Sequence, residues 1–278
     1  MSAPAIRLGP FDIVRAVGRG AMGEVSLAVH RAQDVEVAIK ILHGTTAKDP
    51  WAVEAFRNEV RAVAALSHPG IVSVIDHGVV ESDSGLVSLG HFLSDTPYLV
   101  MEYVKGRPMN RFVGRLSWNQ IRAVLLQLLD ALAHSHARGV VHRDLKPGNV
   151  LLCLPSGRLP SVKRLQPNQP LEVKLTDFGL AQAIDRRSVA DAVVAGTPAY
   201  MAPEQLQGRW RDQGPWTDLY SVGCLAWAMA TGAPPFGKDQ RFEEALEHHL
   251  SSPPPVFQPT VPVPPGFETW LRRLLAKT

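Results

Sequence analysis

The run His142-Arg143-Asp144-Leu145-Lys146-Pro147-Gly148-Asn149, followed by Asp177-Phe178-Gly179, gathers two carboxylates, an amide and a lysine. Moving a phosphoryl group asks for little covalent chemistry from a protein. It asks for metal ions bridging phosphate oxygens, cations where charge spreads, and a group that orients the attacking hydroxyl. Asp144, Lys146, Asn149 and Asp177 are of the types that supply those parts. An Asp and an Asn at this spacing also make simple Asx turns. The unbroken pattern from His142 to Asn149, with Asp-Phe-Gly beyond it, favours the chemical reading.

Elements that would position such residues are legible on both sides. Asp12 to Val17 and Glu24 to Val29 alternate as strands do, and Gly18-Arg19-Gly20-Ala21-Met22-Gly23 joins them as a glycine-rich hairpin. Glycines let a backbone approach phosphate oxygens with no side chain in the way. A dinucleotide fingerprint needs a strand followed by a helix, and here a strand follows a strand. Val35 to Leu42 is a short apolar strand carrying one lysine, Lys40. Such a lysine is commonly a solvated edge charge. Ala52 to Ala65 places Phe56, Val60, Val63 and Ala64 in an apolar stripe at helical spacing. Tyr98 to Val104 reads as a buried strand running into a loop.

These stretches closely resemble the catalytic domain of eukaryotic-type (Hanks-type) serine/threonine protein kinases of the bacterial kind, over nearly the whole chain. The resemblance implies an α+β, bilobal fold. It comprises a small antiparallel-sheet N-lobe with one helix over 1–101, a hinge over 102–105 and a larger helical C-lobe over 106–278. It makes Asp144 the acceptor of the hydroxyl proton, and Asn149 and Asp177 the Mg2+ ligands, with Mn2+ as an alternative metal. Lys146 points to serine or threonine as the acceptor. Lys40 would contact the α- and β-phosphates of ATP and pair with Glu59, with Glu54 the second candidate. Val17, Gly18, Gly20, Gly23, Val25, Ala38, Met101, Glu102, Val104 and Leu151 would surround the nucleotide. Arg143 would pair with a phosphorylated loop residue, and Thr197, in Gly196 to Met201, would lie in a peptide-docking loop.

The loop between Gly179 and Ala202 departs from bacterial relatives, which carry threonines in its middle. Here stand Ser188 and Asp191, so Asp191 is expected to replace a phosphate in part, giving activity without loop phosphorylation. Trp118 to Arg138 shows a helical apolar face opened by Ser117 and closed at Gly139, with His134 and His136 in structural roles. Leu219 to Gly237 carries no charge, yet its glycines and the Pro234-Pro235 stop leave a helix too short for a bilayer, hence a buried core helix. Glu81 to Asp95 and Cys153 to Gln169 lengthen two hairpins and are expected as solvent loops. The second bears Arg158, Lys163 and Arg164 as a conceivable docking surface. Seven prolines between Pro253 and Pro265 make a rigid connector to an amphipathic segment, Phe267 to Leu275. The family continues with an arginine that pairs with the glutamate matching Glu204, and with a final helix. Neither precedes Thr278, which implies a chain that continues, a shortened one or a weakened helical lobe.

The 278 residues carry a net charge of +3, too mild to argue for nucleic acid. Two cysteines exclude a disulfide framework and fit a reducing compartment. With no signal peptide and no membrane segment, the expected location is cytoplasmic, either free or as the cytosolic part of a longer, membrane-anchored protein. Expected partners are proteins with Ser or Thr acceptors, with room for a kinase–kinase dimer. A pseudokinase would lack one of Lys40, Asp144, Asn149 or Asp177, and a small-molecule phosphotransferase would lack the Gly196 to Glu204 segment; both are retained here.

Overall fold

Alternation between Phe11 and Leu42 builds three long antiparallel strands, β2 (Phe11–Gly20), β3 (Gly23–His30) and β4 (Val35–Leu42), with a short β1 (Ile6–Leu8) on the edge. Strands β5 (Val74–Val79) and β6 (Pro97–Glu102) complete a six-stranded sheet in the order β1-β2-β3-β4-β6-β5, every pair antiparallel. Successive side chains on a strand point to opposite faces, and both faces of β4 are covered. Val37, Ile39 and Ile41 pack with Leu8, Phe11 and Val100 on one side. Ala38 and Leu42 pack on the other with Phe56 and Val60 of helix α1 (Pro50–Ala64). That is why β4 reads as largely apolar on both faces.

The computed structural model describes residues 6–20, 23–42, 50–82, 84, 86, 92–178, 198–238 and 240–277. They divide into two compact units, one drawn from Met1–Ser67 and Val72–Val104, the other from His68–Ile71, Lys105–Gly179 and Val189–Thr278.

The connection between β5 and β6 departs from the solvent loop expected of it. Val80 and Leu86 are buried in the cluster around Phe11 and Ile39, and Phe92 packs against them. The apolar face of the sheet needs a cover, and this segment supplies it.

In the second unit a three-stranded sheet, β7 (Gly106–Pro108), β8 (Val150–Cys153) and β9 (Glu172–Leu175), adjoins helix α2 (Trp118–His136). Ser117 and Gln120 close a reciprocal cap at the start of α2, the Gln120 N–H donating to Ser117 Oγ and the Ser117 N–H to Gln120 Oε1. The Cys153 to Gln169 segment also departs from a free loop. Gln120 Nε2 donates to the carbonyls of Gln166 and Gln169, Ser117 Oγ to that of Pro167, and Arg107 Nε to that of Pro160.

After the short α3 (Pro203–Leu206), α4 (Pro215–Thr231) is buried along its whole uncharged stretch from Val222 to Ala230. Among the described residues no helix is long and apolar enough to cross a membrane. Helix α5 (Phe242–Leu250) leads into the proline-rich connector, which Thr260 ties to the Ala230 carbonyl and Phe257 to Trp227. Helix α6 (Phe267–Leu274) then lies on α4. A Cβ on Gly223 would come within 2.9 Å of Leu274 Cβ, so bare backbone is needed there.

Candidate active site

Asp218, fully buried in the first turn of α4, fixes the start of the segment that carries Asp144. Its Oδ2 accepts from the His142 N–H at 2.8 Å and faces His136 Nε2 at 2.7 Å, while Oδ1 accepts from the Arg143 N–H at 2.8 Å. Gln205 Nε2 donates to the Arg143 carbonyl at 2.5 Å. Arg143 is thereby held at φ 60°, a left-handed conformation that costs a non-glycine residue roughly 1–3 kcal/mol. Such strain persists only where surrounding bonds over-determine the backbone.

Asp144 follows. Lys146 Nζ lies 2.9 and 2.8 Å from its two carboxylate oxygens, and Asn149 Nδ2 donates to Asp144 Oδ2 at 2.9 Å and to its carbonyl at 2.8 Å. One 3-10 turn, Pro147–Asn149, brings lysine and amide to the same carboxylate. Proline at its first position pre-sets the turn. With Nδ2 committed to Asp144, Asn149 has its amide oxygen left for another partner.

The Asp177 segment is fastened to the same framework. The Thr176 N–H donates to the Asn149 carbonyl and the Leu175 N–H to that of Gly70. Buried His142 reaches the Thr176 carbonyl through Nε2 at 3.1 Å, accepts the Asp144 N–H on Nδ1 at 3.3 Å, and lies 4.5 Å from the Phe178 ring. Asp177 itself has φ 60°, a second non-glycine residue in the left-handed region. Leu151 lies half-buried on β8, opposite Pro108 on one side and Lys174 on the other.

In the first unit, Lys40 is buried on β4, with Val25 of β3 and Leu99 of β6 as its cross-strand neighbours. Strand alternation puts it on the face of Ala38 and Leu42, the side that carries α1. Glu59 belongs to α1, but its side chain lies outside the described residues; Glu54 pairs with Arg57. Gly18 lies opposite Val25 and Gly20 opposite Gly23. A Cβ on Gly18 would meet nothing within 4 Å. A Cβ on Gly23 would lie 2.2 Å from the Ile41 carbonyl oxygen, so pairing of β3 with β4 already demands glycine there. Val17 is exposed, Met101 is buried opposite Ala38, and Val104 is half-buried. The Glu102 N–H donates to the Ser73 carbonyl, and its carboxylate accepts the Ser73 N–H in return. Ser188, Asp191 and Thr197 lie outside the described residues.

Sequence reasoning missed Asp218, Gln205 and the linking role of His142. Asp218 had a signal: it is the single acid at the head of a long uncharged helix, a placement that calls for buried donors. Glu204 accepts from Thr217 Oγ1 at 2.6 Å. His136 takes the structural role foreseen for it, against Asp218, and the His134 ring lies tilted against that of His68, centroids 5.0 Å apart.

Residues 11–278 match the family model described as protein kinase domain. Among curated proteins, the chain is 38% identical over 274 residues to the serine/threonine-protein kinase PknA of Mycobacterium tuberculosis, covering 97% of this chain and 56% of that protein. It is 37% identical over 275 residues to Pkn1 of Myxococcus xanthus, covering 98% of this chain and 36% of that one. The chain therefore spans from about a third to just over half the length of these relatives. The crystal structure of the Mycobacterium tuberculosis PknI kinase domain aligns with a TM-score of 0.64 at 25% identity, over 100% of this chain and 92% of that one.

Proposed function

We propose, on the premise that this chain belongs to the protein kinase domain family, that it transfers the γ-phosphoryl group of ATP to serine and threonine hydroxyls of proteins, its own included. The observation that carries the reading is the Asp144 carboxylate bracketed by Lys146 and Asn149 within 2.9 Å. Asp144 orients the incoming hydroxyl and takes its proton. Lys146 would offset negative charge on the transferred group, and Lys40 would contact the nonreacting phosphates.

The oxygens on offer suit a hard divalent cation. The Asn149 amide oxygen and the Asp177 carboxylate are ligands of the kind Mg2+ takes, with Mn2+ as a substitute. When bound, the metal neutralises charge across the phosphates. His142 joins the two segments, accepting the Asp144 N–H on Nδ1 and reaching the Thr176 carbonyl through Nε2, while Asp218 holds the His142 N–H. Proteins carrying Ser or Thr are the partners, the bacterial cytoplasm is the location, and paired kinase domains would serve phosphorylation in trans.

Incubation with radiolabelled ATP, Mg2+ and a generic basic protein tests this directly. Label should appear on serine and threonine, and Asp144→Asn should lower the rate by about a hundredfold to a thousandfold. Tight ATP binding with no transfer by the unaltered chain would replace the proposal with a nucleotide-sensing scaffold.

A further inference from the structure

No Asp or Glu occurs between Tyr103 and Leu129, nor between Leu145 and Leu171. Besides Arg122 on α2, the first stretch contains Lys105, Arg107, Arg111 and Arg115, and besides Lys146 the second contains Arg158, Lys163 and Arg164. The fold lays the two alongside each other. Gly106 and Arg107 pair with Cys153 and Leu152, Arg107 Nε donates to the Pro160 carbonyl at 3.0 Å, and Ser117 Oγ donates to the Pro167 carbonyl at 2.5 Å. Except for half-buried Arg107, all seven cations are exposed. Among the described residues no acid pairs with Arg111, Arg115, Arg158, Lys163 or Arg164.

The strip is a built surface. Buried Gln120 holds the Gln166 and Gln169 carbonyls, Pro160 is buried, and the intervening residues 161–168 form a 3-10 turn and a second turn. The chain has 29 Lys and Arg against 26 Asp and Glu; with these seven cations set aside, 22 face 26, so the remainder is net acidic. Positive charge is therefore concentrated here beyond what solubility asks for. Leu159, 52% exposed between Arg158 and buried Pro160, adds one apolar foothold.

We infer that this strip docks an acidic polypeptide segment of a partner protein, with an apolar residue among its carboxylates to meet Leu159. Charge complementarity fixes the sign of the occupant. Single-stranded nucleic acid and membrane interfaces are both served by exposed aromatic side chains. In this strip Phe112 is buried and half-buried Trp118 packs edge-on against Phe267, so neither ring stands free. A polypeptide fits the remaining features. The inference goes beyond phosphoryl transfer and does not need it, since binding is read without catalysis.

A fluorescein-labelled peptide of glutamates around a central leucine, followed by anisotropy, tests the strip against its lysine counterpart. The acidic peptide should bind and weaken steeply with salt, and the lysine peptide should not bind. The triple variant Arg158→Glu, Lys163→Glu, Arg164→Glu should weaken binding by about tenfold or more. A triple reversal elsewhere, at the exposed Arg138, Lys238 and Arg273, should leave it within about twofold. Phosphorylation of a short neutral peptide should be the same in all three proteins, which separates failure of docking from failure of the kinase reading. Equal losses in both triple variants would overturn the inference, because net charge alone would then explain binding. Retention on vesicles of phosphatidylserine and phosphatidylcholine, or on a polyuridine probe, with no binding of the acidic peptide, would overturn it too.

Discussion

Asp218 shows how much of a site's geometry can rest on a single buried carboxylate. Its two oxygens receive the His142 and Arg143 amides and face His136, and through His142 the same bonds reach Thr176, next to Asp177. Asn in its place keeps the shape but exchanges one acceptor oxygen for a donor, leaving at least one buried N–H facing another N–H. An unsatisfied buried donor costs about 1–3 kcal/mol. Asp218→Asn should therefore lose about that much stability by urea denaturation, while phosphoryl transfer falls by more than the folded fraction does, because the strained φ at Arg143 relaxes. A kinase rate that merely tracked the folded fraction would show that Asp218 serves stability alone. Its role would have been hard to read from the chain, because an acid at a helix start has an ordinary explanation in the helix dipole.

Among the elements, the start of α2 does two tasks with one side chain. Gln120 completes the cap with Ser117 and also holds the carbonyls of Gln166 and Gln169. Gln120→Ala should cost about 1–3 kcal/mol. Amide exchange should rise at 164–169 and stay unchanged at Asp144, whose contacts are local; uniform exchange across the unit would mean that Gln120 only stiffens α2. The cap itself was legible, since Ser followed three residues later by Gln before an apolar run is a helix-start signature. So were strands β2 to β4, α2, and the short buried α4, where periodicity and stop signals agree. The two long connections were not. Composition marks polar, proline-bearing stretches as loops, but it cannot say that Leu86 and Phe92 cover a sheet face, or that a glutamine far away in sequence holds a turn. The meeting of Asp144, Lys146 and Asn149 was legible as residues, because the three lie close together in the chain. The framework beneath it was not, because Asp218, Gln205 and Gly70 come from distant segments.

At the scale of the whole molecule, burial of ionisable groups decides how stability answers to pH. His249 of α5 is fully buried, hydrogen-bonded through Nδ1 to Tyr220 Oη at 2.9 Å, with its ring edge-on to Phe236 at 4.9 Å. Burial, and then the charges of Lys277 and His248, hold its pKa down to about 4. In the unfolded chain it titrates near 6.5. Because the folded value lies below the unfolded one, the unfolded state binds the extra proton between those values. Stability from this group is then full above pH of about 6.5 and is lost as pH falls toward 4, by about 3 kcal/mol at most. His134 shifts in the same direction, again chiefly through burial, so it adds to the slope and does not oppose it. Urea midpoints measured from pH 7 to pH 4 should fall steeply for the unaltered protein. His249→Asn, which keeps a polar group near Tyr220 but cannot take up the proton, should start lower at pH 7 and decline less. Parallel curves for the two proteins would show that the folded state admits the proton after all, and that the packing of α5 against α4 is looser than the contacts of His249 imply.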